Sequence, residues 1–475
     1  MNISTLTVVG ALTLALYPLG KLFWALFISH HVYTHTHPLR RLPRIKERGS
    51  LLLGANKEIL DKPPGQAERG WLDEHDSTVI VYPGFLGTHS LYIADPKAIH
   101  HIFGPGHDAY EKSEIRQRIL RVLLGQGLVT ATSKEAIRQR RIIVPALQTK
   151  NLERLAPVFQ HATESMVQVI KEDLIATGNS PKRVAPDGAT VLDLGDVLWA
   201  CSLDIIGKAG FGYDFHAVQS ARHNALQEPK LDEKKRVDSK HDSVLDGSAP
   251  PAQNRLARAF DDAMEATLKP SSFDRLVTLV AAVLFPIFTM LPITKANREC
   301  VKARKLMDKV AGQFLDRRLD ELTQAGYKEK ADFENDSKDL LGVLVRANLA
   351  TDLKPEQRLS RPELLGQLTT FLVAGHETTA AAAAWLLYYL SSFPDIQARV
   401  YEEVKQLDEK VAQEGRAKPT WREMAELPLL RACFFEASRL QPSLPVTHRD
   451  AVADDVIPLS RREWRWGAIP KRNGG

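Results

Sequence analysis

The sequence predicts a mainly α-helical protein with a small β-sheet, and three observations lead to that fold class. Helical periodicity dominates the chain from Asp95 onward, whereas stretches typical of strands are few and short. The apolar run at residues 364–390 is far longer than a strand and fits one long central helix. With 44% apolar and 25% charged residues in a chain of 475, the composition is that of a folded protein.

The composition also excludes several classes of function. A net charge of +5 is too small in a chain of this length to indicate nucleic-acid binding. Cys201, Cys300 and Cys433 are widely spaced and form no Cys-x-x-Cys motif, so we expect neither a disulfide framework nor a structural zinc site. The folded body is therefore expected to face a reducing compartment.

The N-terminal segment does not fit a soluble protein. Residues 5–29 are apolar apart from Thr, Gly, Pro18 and Lys21, and about 20 apolar residues span a bilayer. A cleaved signal peptide would also be apolar, but no small-residue cleavage site follows. A basic, proline-containing segment follows instead, which favours retention on the cytoplasmic side. We predict a transmembrane anchor over residues 1–30 and a basic linker over residues 31–50.

The first elements after this linker form a small sheet and then a series of helices. Residues 49–87 are punctuated by Gly and Pro around a β-branched run at residues 78–82, which predicts the sheet. Asp95 and Pro96 suit the cap and the first position of a helix. Periodicity then predicts helices at residues 114–123, 133–147, 152–174 and 191–206.

The middle of the chain interrupts this order. Residues 217–256 are rich in Lys, Asp, Glu, Ser and Pro and poor in aromatic residues, so we predict a disordered insert. Residues 276–291 are apolar with Pro286 among them, which fits either a buried helix pair or a surface element that dips into a membrane. Helices are predicted again at residues 298–324, 340–349 and 364–390, from Pro394, and twice within 421–440.

The most informative motif, Ala-Gly-His-Glu-Thr-Thr, occupies residues 374–379 of the central helix. Because a buried carboxylate and an interior glycine both disfavour a helix, we expect the helix to be opened here for a function. Glu377 and Thr378 can move protons through water, while Ala374 and Gly375 leave space for a small ligand. The alternative is structural, with threonines bonded to helix carbonyls and a surface glutamate. A zinc-protease motif is excluded because position 380 is not histidine.

Two further groups of residues are informative only in combination. Glu436 and Arg439 are three residues apart and can pair on one helix face. A solvated pair is the default interpretation, but the apolar helix around them favours a buried structural pair. Arg138, Arg140 and Arg141 form either a solvated face or a clamp for an anion such as a carboxylate.

Taken together, these motifs and the anchor resemble the cytochrome P-450 superfamily, the haem-thiolate monooxygenases, in its microsomal fungal form. The resemblance covers residues 49–460 and is supported by Asp-Pro-Lys-Ala-Ile at 95–99, Gly-Gln-Gly-Leu at 125–128 and residues 204–215. We assign residues 51–460 to a P-450-like domain. The resemblance implies a P-450 fold, a haem cofactor, O2, a small apolar substrate, electrons from an NADPH-cytochrome reductase, and a single-pass anchor in the endoplasmic reticulum membrane.

The resemblance also implies roles for individual residues. Glu377 and Thr378 would be the oxygen-activating pair on the helix that crosses the distal face of the haem, with Ala374 and Gly375 beside them. Residues 276–291 would form the membrane-proximal roof of the substrate pocket.

Other residues would hold the haem and the core. Arg140 and Arg449 would bind haem propionates, although Ala136 stands where the family usually has Trp or His. Glu436 and Arg439 would be the buried pair that holds the proximal side together.

The sequence departs from the family near its C-terminus. The family's iron ligand is a cysteine in a Phe-x-x-Gly-x-x-x-Cys loop, and none of the three cysteines has that context. Residues 461–475 show no periodicity and resemble a foreign ending, so we expect a truncation before the cysteine loop and an aberrant tail. Without a thiolate, the electron push that favours O–O cleavage is absent. We therefore expect this chain as given to bind haem poorly, to hold no metal and to be inactive.

Two other functions compete with a monooxygenase. A truncated, non-catalytic membrane protein with at most an interaction role is favoured by the missing cysteine. A histidine-rich metal oxygenase would use a cluster of four histidines after the anchor, but no second cluster follows. A position at the membrane interface explains these histidines better than metal binding does. They are His30, His31, His35 and His37.

Overall fold

The computed structural model describes residues 20, 23, 39, 42–45, 54–63, 65–84, 88–176, 194–219, 295–324, 339–349 and 354–460. These residues form helices and two small antiparallel sheets, so the predicted fold class, mainly α with a small sheet, is confirmed. They divide into two compact units. One holds the described residues up to Ile119 and from Pro445 onward, and the other holds those between Leu120 and Leu444.

The first unit contains the predicted sheet. Strand β1 (Val79–Pro83) pairs antiparallel with β2 (His89–Ile93), and two helices precede β1, α1 (Asn56–Asp61) and α2 (Gln66–Glu74). Trp71 of α2 is 2% exposed and packs against a tyrosine of β1, with 5.6 Å between the ring centroids. The predicted strand at residues 78–82 is thus confirmed as β1, whereas β2 lies beyond the predicted range.

The first unit also holds a capped helix and a second strand pair. Helix α3 (Pro96–Phe103) begins as predicted, because the Asp95 carboxylate accepts hydrogen bonds from two first-turn amides at 2.9 and 3.0 Å. Strand β3 (Tyr110–Lys112) pairs antiparallel with β4 (Arg449–Ala451). Arg449 therefore lies in a strand that follows the last helix.

The second unit is helical. Its core lies between α7, α8 and the first half of α10, where Phe211 stacks on Phe314 with 5.6 Å between the ring centroids. The helices are α4 (Glu114–Leu124, which begins in the first unit), α5 (Ser133–Ile143), α6 (Thr149–Ala176), α7 (Leu194–Phe211), α8 (Lys295–Gln324), α9 (Leu340–Leu349), α10 (Arg361–Ser392), α11 (Pro394–Gln413), α12 (Trp421–Ala425) and α13 (Pro428–Leu440).

Two predicted helix boundaries differ from the observed ones for identifiable reasons. The helix predicted at 133–147 ends at Ile143 and continues only as a 3-10 turn, because Pro145 has no amide to donate. The helix predicted at 191–206 continues to Phe211 and ends at Gly212, whose φ of 66° lies in the left-handed region.

Several predictions fall wholly or largely outside the described residues. They concern the anchor at 1–30, the linker at 31–50, the insert at 217–256, the apolar segment at 276–291 and the tail at 461–475. Among the helices that the structure describes, none combines the length and the apolar character needed to cross a membrane.

Candidate functional site

Helix α10 carries the motif at residues 374–379, and its own sequence fixes where it begins. Ser360 and Glu363 form a capping box, in which the Glu363 carboxylate accepts from the Ser360 amide at 2.8 Å and hydroxyl at 2.9 Å. Most residues between Glu363 and Leu372 are buried, whereas beyond Ala380 the helix is half-buried or exposed. The motif therefore lies where α10 leaves the core of the second unit.

The helix is not opened at the motif, so that prediction is wrong. Helix α10 is continuous from Arg361 to Ser392. The Thr378 hydroxyl donates to the carbonyl of Ala374 at 2.6 Å, and the Thr379 hydroxyl donates to the carbonyl of Gly375 at 2.7 Å. Both threonines thus make the bond that the structural alternative describes, and these bonds are compatible with an intact helix.

Glu377 is the motif's titratable group on the less buried side of the helix. Its side chain is half-buried, and burial raises the pKa of its carboxyl above the ordinary 4.5. Ala374 and Thr378 are one helical turn apart and exposed, so they share a face next to Glu377. This face can present a protonatable carboxyl and a hydroxyl oxygen to a small molecule beside the helix.

The opposite side of the motif packs against α7. A Cβ atom on Gly375 would lie 2.8 Å from the side chain of Ile206, so the close approach of the two helices favours glycine there. His376 is 1% exposed and meets Trp199 edge to face, with 4.8 Å between the ring centroids. Its burial and this ring contact make His376 a packing residue, and burial lowers its pKa, which favours the neutral ring.

Ser443 contacts the motif, although sequence reasoning did not identify it. Its hydroxyl donates to the carbonyl of Thr378 at 2.9 Å. The residue follows α13 in a Pro-containing segment, Gln-Pro-Ser-Leu-Pro, and a serine between prolines carries no recognisable signal of such a contact.

Glu436 and Arg439 form the predicted ion pair, but they do not form it in a buried place. The guanidinium donates two hydrogen bonds of 2.7 Å to the carboxylate, while the side chains are 56% and 68% exposed. Phe434 and Phe435 beside them are also exposed. The apolar helix that suggested burial therefore presents this face to solvent in the described structure, and a bidentate surface pair results.

The two arginines expected to bind carboxylates occupy different units. Arg140 lies on α5 with an exposed side chain and forms no ion pair within the part of the chain that the structure describes. Arg449 lies with its guanidinium carbon 4.9 Å from the ring centroid of Phe103 and donates to the hydroxyl of Thr447 at 2.9 Å. Burial lowers the pKa of Arg449 from its ordinary value, which does not remove its charge at neutral pH.

Arg138 fits the second interpretation of the arginine cluster, a clamp for an anion, because it binds a carboxylate of the protein itself. It pairs with Glu363 at the start of α10 and donates to the carbonyl of Arg358 at 2.8 Å. Sequence reasoning singled out the cluster but could not find this partner, which lies more than 200 residues away in the chain.

These residues fit a porphyrin in part. In the second unit, the exposed Arg140 suits a propionate carboxylate, and Glu377 with Thr378 suits the face of a haem where O2 binds. In the first unit, the partly exposed Arg449 carries a charge that suits a carboxylate. The iron ligand is a different matter. Cys201 and Cys300 are buried in the core of the second unit, and burial raises the pKa of the Cys201 thiol to about 11, which disfavours a thiolate.

The third cysteine, Cys433, is half-buried on α13, one turn before the surface pair at Glu436. Among the described residues, no three His, Cys, Asp or Glu side chains form a group that could hold a metal ion. The residues present therefore fit the carboxylates and the oxygen side of a haem, and the fit does not extend to the iron ligand.

Comparison with known proteins assigns the family. The family model for cytochrome P-450 matches residues 73–458. Cytochrome P-450 monooxygenase 205 of Postia placenta is 30% identical over 424 residues, which cover 89% of this chain and 68% of the relative. Cytochrome P-450 monooxygenase claP of Ampulloclitocybe clavipes is 31% identical over 414 residues, which cover 86% of this chain and 66% of the relative.

This chain thus spans about two thirds of the length of these fungal relatives. The residues matched by the family model include the α10 motif, the α13 pair and both arginines. The family's cofactor is haem, and its members are monooxygenases. On these grounds the chain belongs to the cytochrome P-450 family, an enzyme family of the haem monooxygenase type.

Proposed function

We propose that this chain belongs to a monooxygenase that hydroxylates a small apolar molecule with O2 and NADPH. Helix α10 would lie on the face of the haem where O2 binds, and Arg140 and Arg449 would each bind a propionate. The observation that carries the proposal is Glu377. Its half-buried carboxyl has a raised pKa and lies next to the exposed Thr378 hydroxyl, in the part of α10 that leaves the core. A carboxyl whose pKa is raised, beside a hydroxyl, is an arrangement that can deliver protons to a bound ligand.

Haem, when bound, would supply the iron at which O2 is reduced and an oxygen atom is transferred. Glu377 holds a proton at its carboxyl to a higher pH than a solvated glutamate does, so it can act as a proton reservoir. The hydroxyl hydrogen of Thr378 is engaged with the carbonyl of Ala374, which leaves the oxygen lone pairs to accept from water. Arg140 and Arg449 would orient the porphyrin through charge-assisted bonds to its carboxylates.

The proposed redox partner and its membrane are those that the family resemblance implies, and the proposed anchor rests on the sequence. Electrons would come from an NADPH-cytochrome reductase at the endoplasmic reticulum membrane. The apolar residues 5–29, followed by the basic segment, support an N-terminal single-pass anchor with the catalytic body in the cytoplasm. The substrate is assigned only as a small apolar molecule.

We also propose that these 475 residues, taken alone, do not support oxygen activation. None of the three cysteines lies in a Phe-x-x-Gly-x-x-x-Cys loop, and two of them are buried in the helical core. A thiolate on the iron provides the electron push for O–O cleavage. A non-catalytic membrane protein is therefore the second candidate function for the chain in isolation.

The proton-delivery role is tested in an engineered fusion of this chain to a C-terminal segment with a Phe-x-x-Gly-x-x-x-Cys loop, supplied with haem and the reductase. Replacing Glu377→Gln or Thr378→Ala should lower the turnover of substrate by about 100-fold or more and divert NADPH oxidation to released hydrogen peroxide. Thr379→Ala is the matched control, because Thr379 makes the same kind of bond to a helix carbonyl. Equal coupling of NADPH to product in all three variants would refute the role.

A further inference from the structure

A buried carboxylate links the start of α10 to α5. Glu363 is 8% exposed and accepts from Ser360 and from both Arg138 and Gln139 of α5, with Gln139 Nε2 at 3.2 Å. Burial would raise the pKa of the Glu363 carboxyl, but the hydrogen bonds from Arg138, Ser360 and Gln139 hold it below its ordinary value. The carboxylate is therefore charged, fully hydrogen-bonded and surrounded by protein.

The hydrogen bonds continue from Glu363 through two buried amides. Gln139 is 2% exposed, and its Oε1 accepts from Nε2 of Gln367 at 2.7 Å. Gln367 is fully buried, and its Oε1 accepts from the backbone amide of Leu128 at 3.0 Å. A carboxylate at one end can only accept and a backbone amide at the other can only donate, so the orientation of both glutamine side chains is determined.

The same loop that receives the last hydrogen bond rests directly on α10. A Cβ atom on Gly366 would lie 2.5 Å from the backbone nitrogen of Gly127, so the loop and the helix touch backbone to backbone. Within the loop, the Thr130 hydroxyl donates to the carbonyl of Gly127 at 3.1 Å. Helix α5, this loop and the first turns of α10 thus form one connected body.

Arg140 is held indirectly by this body. It lies two residues after Arg138 on α5, and successive helical residues are about 100° apart, so the two guanidinium groups project from nearly opposite flanks. Arg138 and Gln139 are tied to α10, whereas Arg140 is exposed. Because a helix cannot rotate with one flank fixed, the flank that carries Arg140 has a defined direction.

We propose that Glu363 and Gln367 are positioning residues, which lock α5 and the 125–131 loop onto α10 and so aim Arg140 at a haem carboxylate. The role rests on the proposed function only through Arg140. The lock itself is a property of the protein chain and can be measured without haem.

The first experiment measures the lock through amide hydrogen exchange of Leu128 in the full chain. Gln367→Leu removes the acceptor and should speed the exchange of this amide by about tenfold or more. Glu363→Gln, two side chains away, should also speed it. Asp316→Asn is the matched control, because Asp316 pairs with Arg361 at the same end of α10, at 2.7 Å, with both side chains more than half exposed. Unchanged Leu128 exchange in Glu363→Gln would overturn the lock.

The second experiment measures whether this network orients Arg140 toward a haem carboxylate. The full chain is titrated with ferric haem, with imidazole in solution as the iron ligand, and the dissociation constant is read from the Soret absorbance. Arg140→Ala should weaken binding by about tenfold or more. Glu363→Gln should weaken haem binding as well. The double variant should bind haem no worse than Arg140→Ala alone, because both substitutions act on the same contact between Arg140 and the haem carboxylate.

The two experiments separate the possible failures. If Arg140→Ala leaves the haem dissociation constant unchanged, the proposed function of Arg140 is wrong, and the aim falls with it while the lock is judged by Leu128 exchange. If Arg140→Ala weakens binding but Glu363→Gln does not, or the two effects add, the positioning role is wrong. Should Glu363→Gln fail to fold, Gln367→Leu takes its place in both measurements.

Discussion

The contact between the 125–131 loop and α10 predicts an unusual outcome for Gly366→Ala. Alanine is the better helix former, and Gly366 lies in the interior of α10. On helix propensity alone, the substitution should raise the free energy of unfolding by about 1 kcal/mol. The structure opposes this, because the new Cβ atom would lie 2.5 to 2.9 Å from backbone atoms of Gln126 and Gly127.

The opposing cost can be worked from the geometry. Carbon atoms in contact prefer separations of about 3.5–4.0 Å, so the loop has to retreat by about 1 Å, and overpacking of this kind costs about 1–3 kcal/mol. The retreat also stretches the 3.0 Å bond from the Leu128 amide to Gln367, and losing a buried bond costs about 1–3 kcal/mol. After subtracting the helix gain of about 1 kcal/mol, we expect a net loss of about 1–5 kcal/mol.

Urea unfolding followed by far-UV circular dichroism measures this loss, and Gly312→Ala is the control. Gly312 is also interior to a long helix, α8, but a Cβ atom there would meet only Arg361, at 3.7 Å. Gly312→Ala should raise the unfolding midpoint while Gly366→Ala lowers it. If both substitutions raise the midpoint, the loop does not rest on α10 and the reasoning is refuted.

Three further predictions follow from charged groups. Burial, with a smaller effect of Asp214, raises the pKa of Asp204 to about 6. The folded state therefore holds this proton more tightly than the unfolded state, and the free energy of unfolding should fall as pH rises from about 4 to about 6. Asp204→Asn should flatten this pH dependence in urea titrations, and an unaltered pH dependence would contradict the prediction. Carbon-13 NMR titration of the Glu377 carboxyl, assigned with Glu377→Gln, should give a pKa above 4.5, and an ordinary value would contradict the assigned burial. Glu436→Gln should leave the urea midpoint of this chain unchanged because the pair with Arg439 is exposed, and a clear drop would show that the pair is buried in solution.

Local signals in the sequence were sufficient for much of the fold. Asp95 before Pro96 marked the start of a helix because capping depends on neighbouring residues alone. The helix at residues 340–349 was predicted with its observed ends, and a long apolar run located α10. The family followed from the motifs in α10 and α13 and from their order in the chain.

What the sequence could not predict depends on partners distant in the chain. The burial of Glu436 and Arg439 was inferred from their apolar helix, but burial is decided by what packs on that helix, and in the described structure its Phe434 and Phe435 are exposed. The expected opening of α10 failed for a similar reason. Gly375 lies in an unbroken helix because its lack of a side chain allows α10 to pack closely on Ile206.

The lock between α5 and α10 was missed for the same physical reason. Gln139 and Gln367 are ordinary helix formers in the sequence, and only the fold shows that they are buried and bonded to each other. The arginine cluster gave a partial signal, since a clamp for a carboxylate was one of its two interpretations. Arg138 of this cluster pairs with Glu363, which sequence reasoning did not single out.

We propose that α10 of this cytochrome P-450 chain lies on the face of a haem where O2 binds and that Arg140 binds a haem carboxylate, while none of its three cysteines supplies the iron ligand. The most direct test is the carbon-monoxide difference spectrum of the reduced, haem-supplied 475-residue protein. We predict a spectrum without the Soret shift that a thiolate ligand produces. A thiolate-type Soret band from this chain would contradict the claim and show that one of Cys201, Cys300 and Cys433 binds the iron.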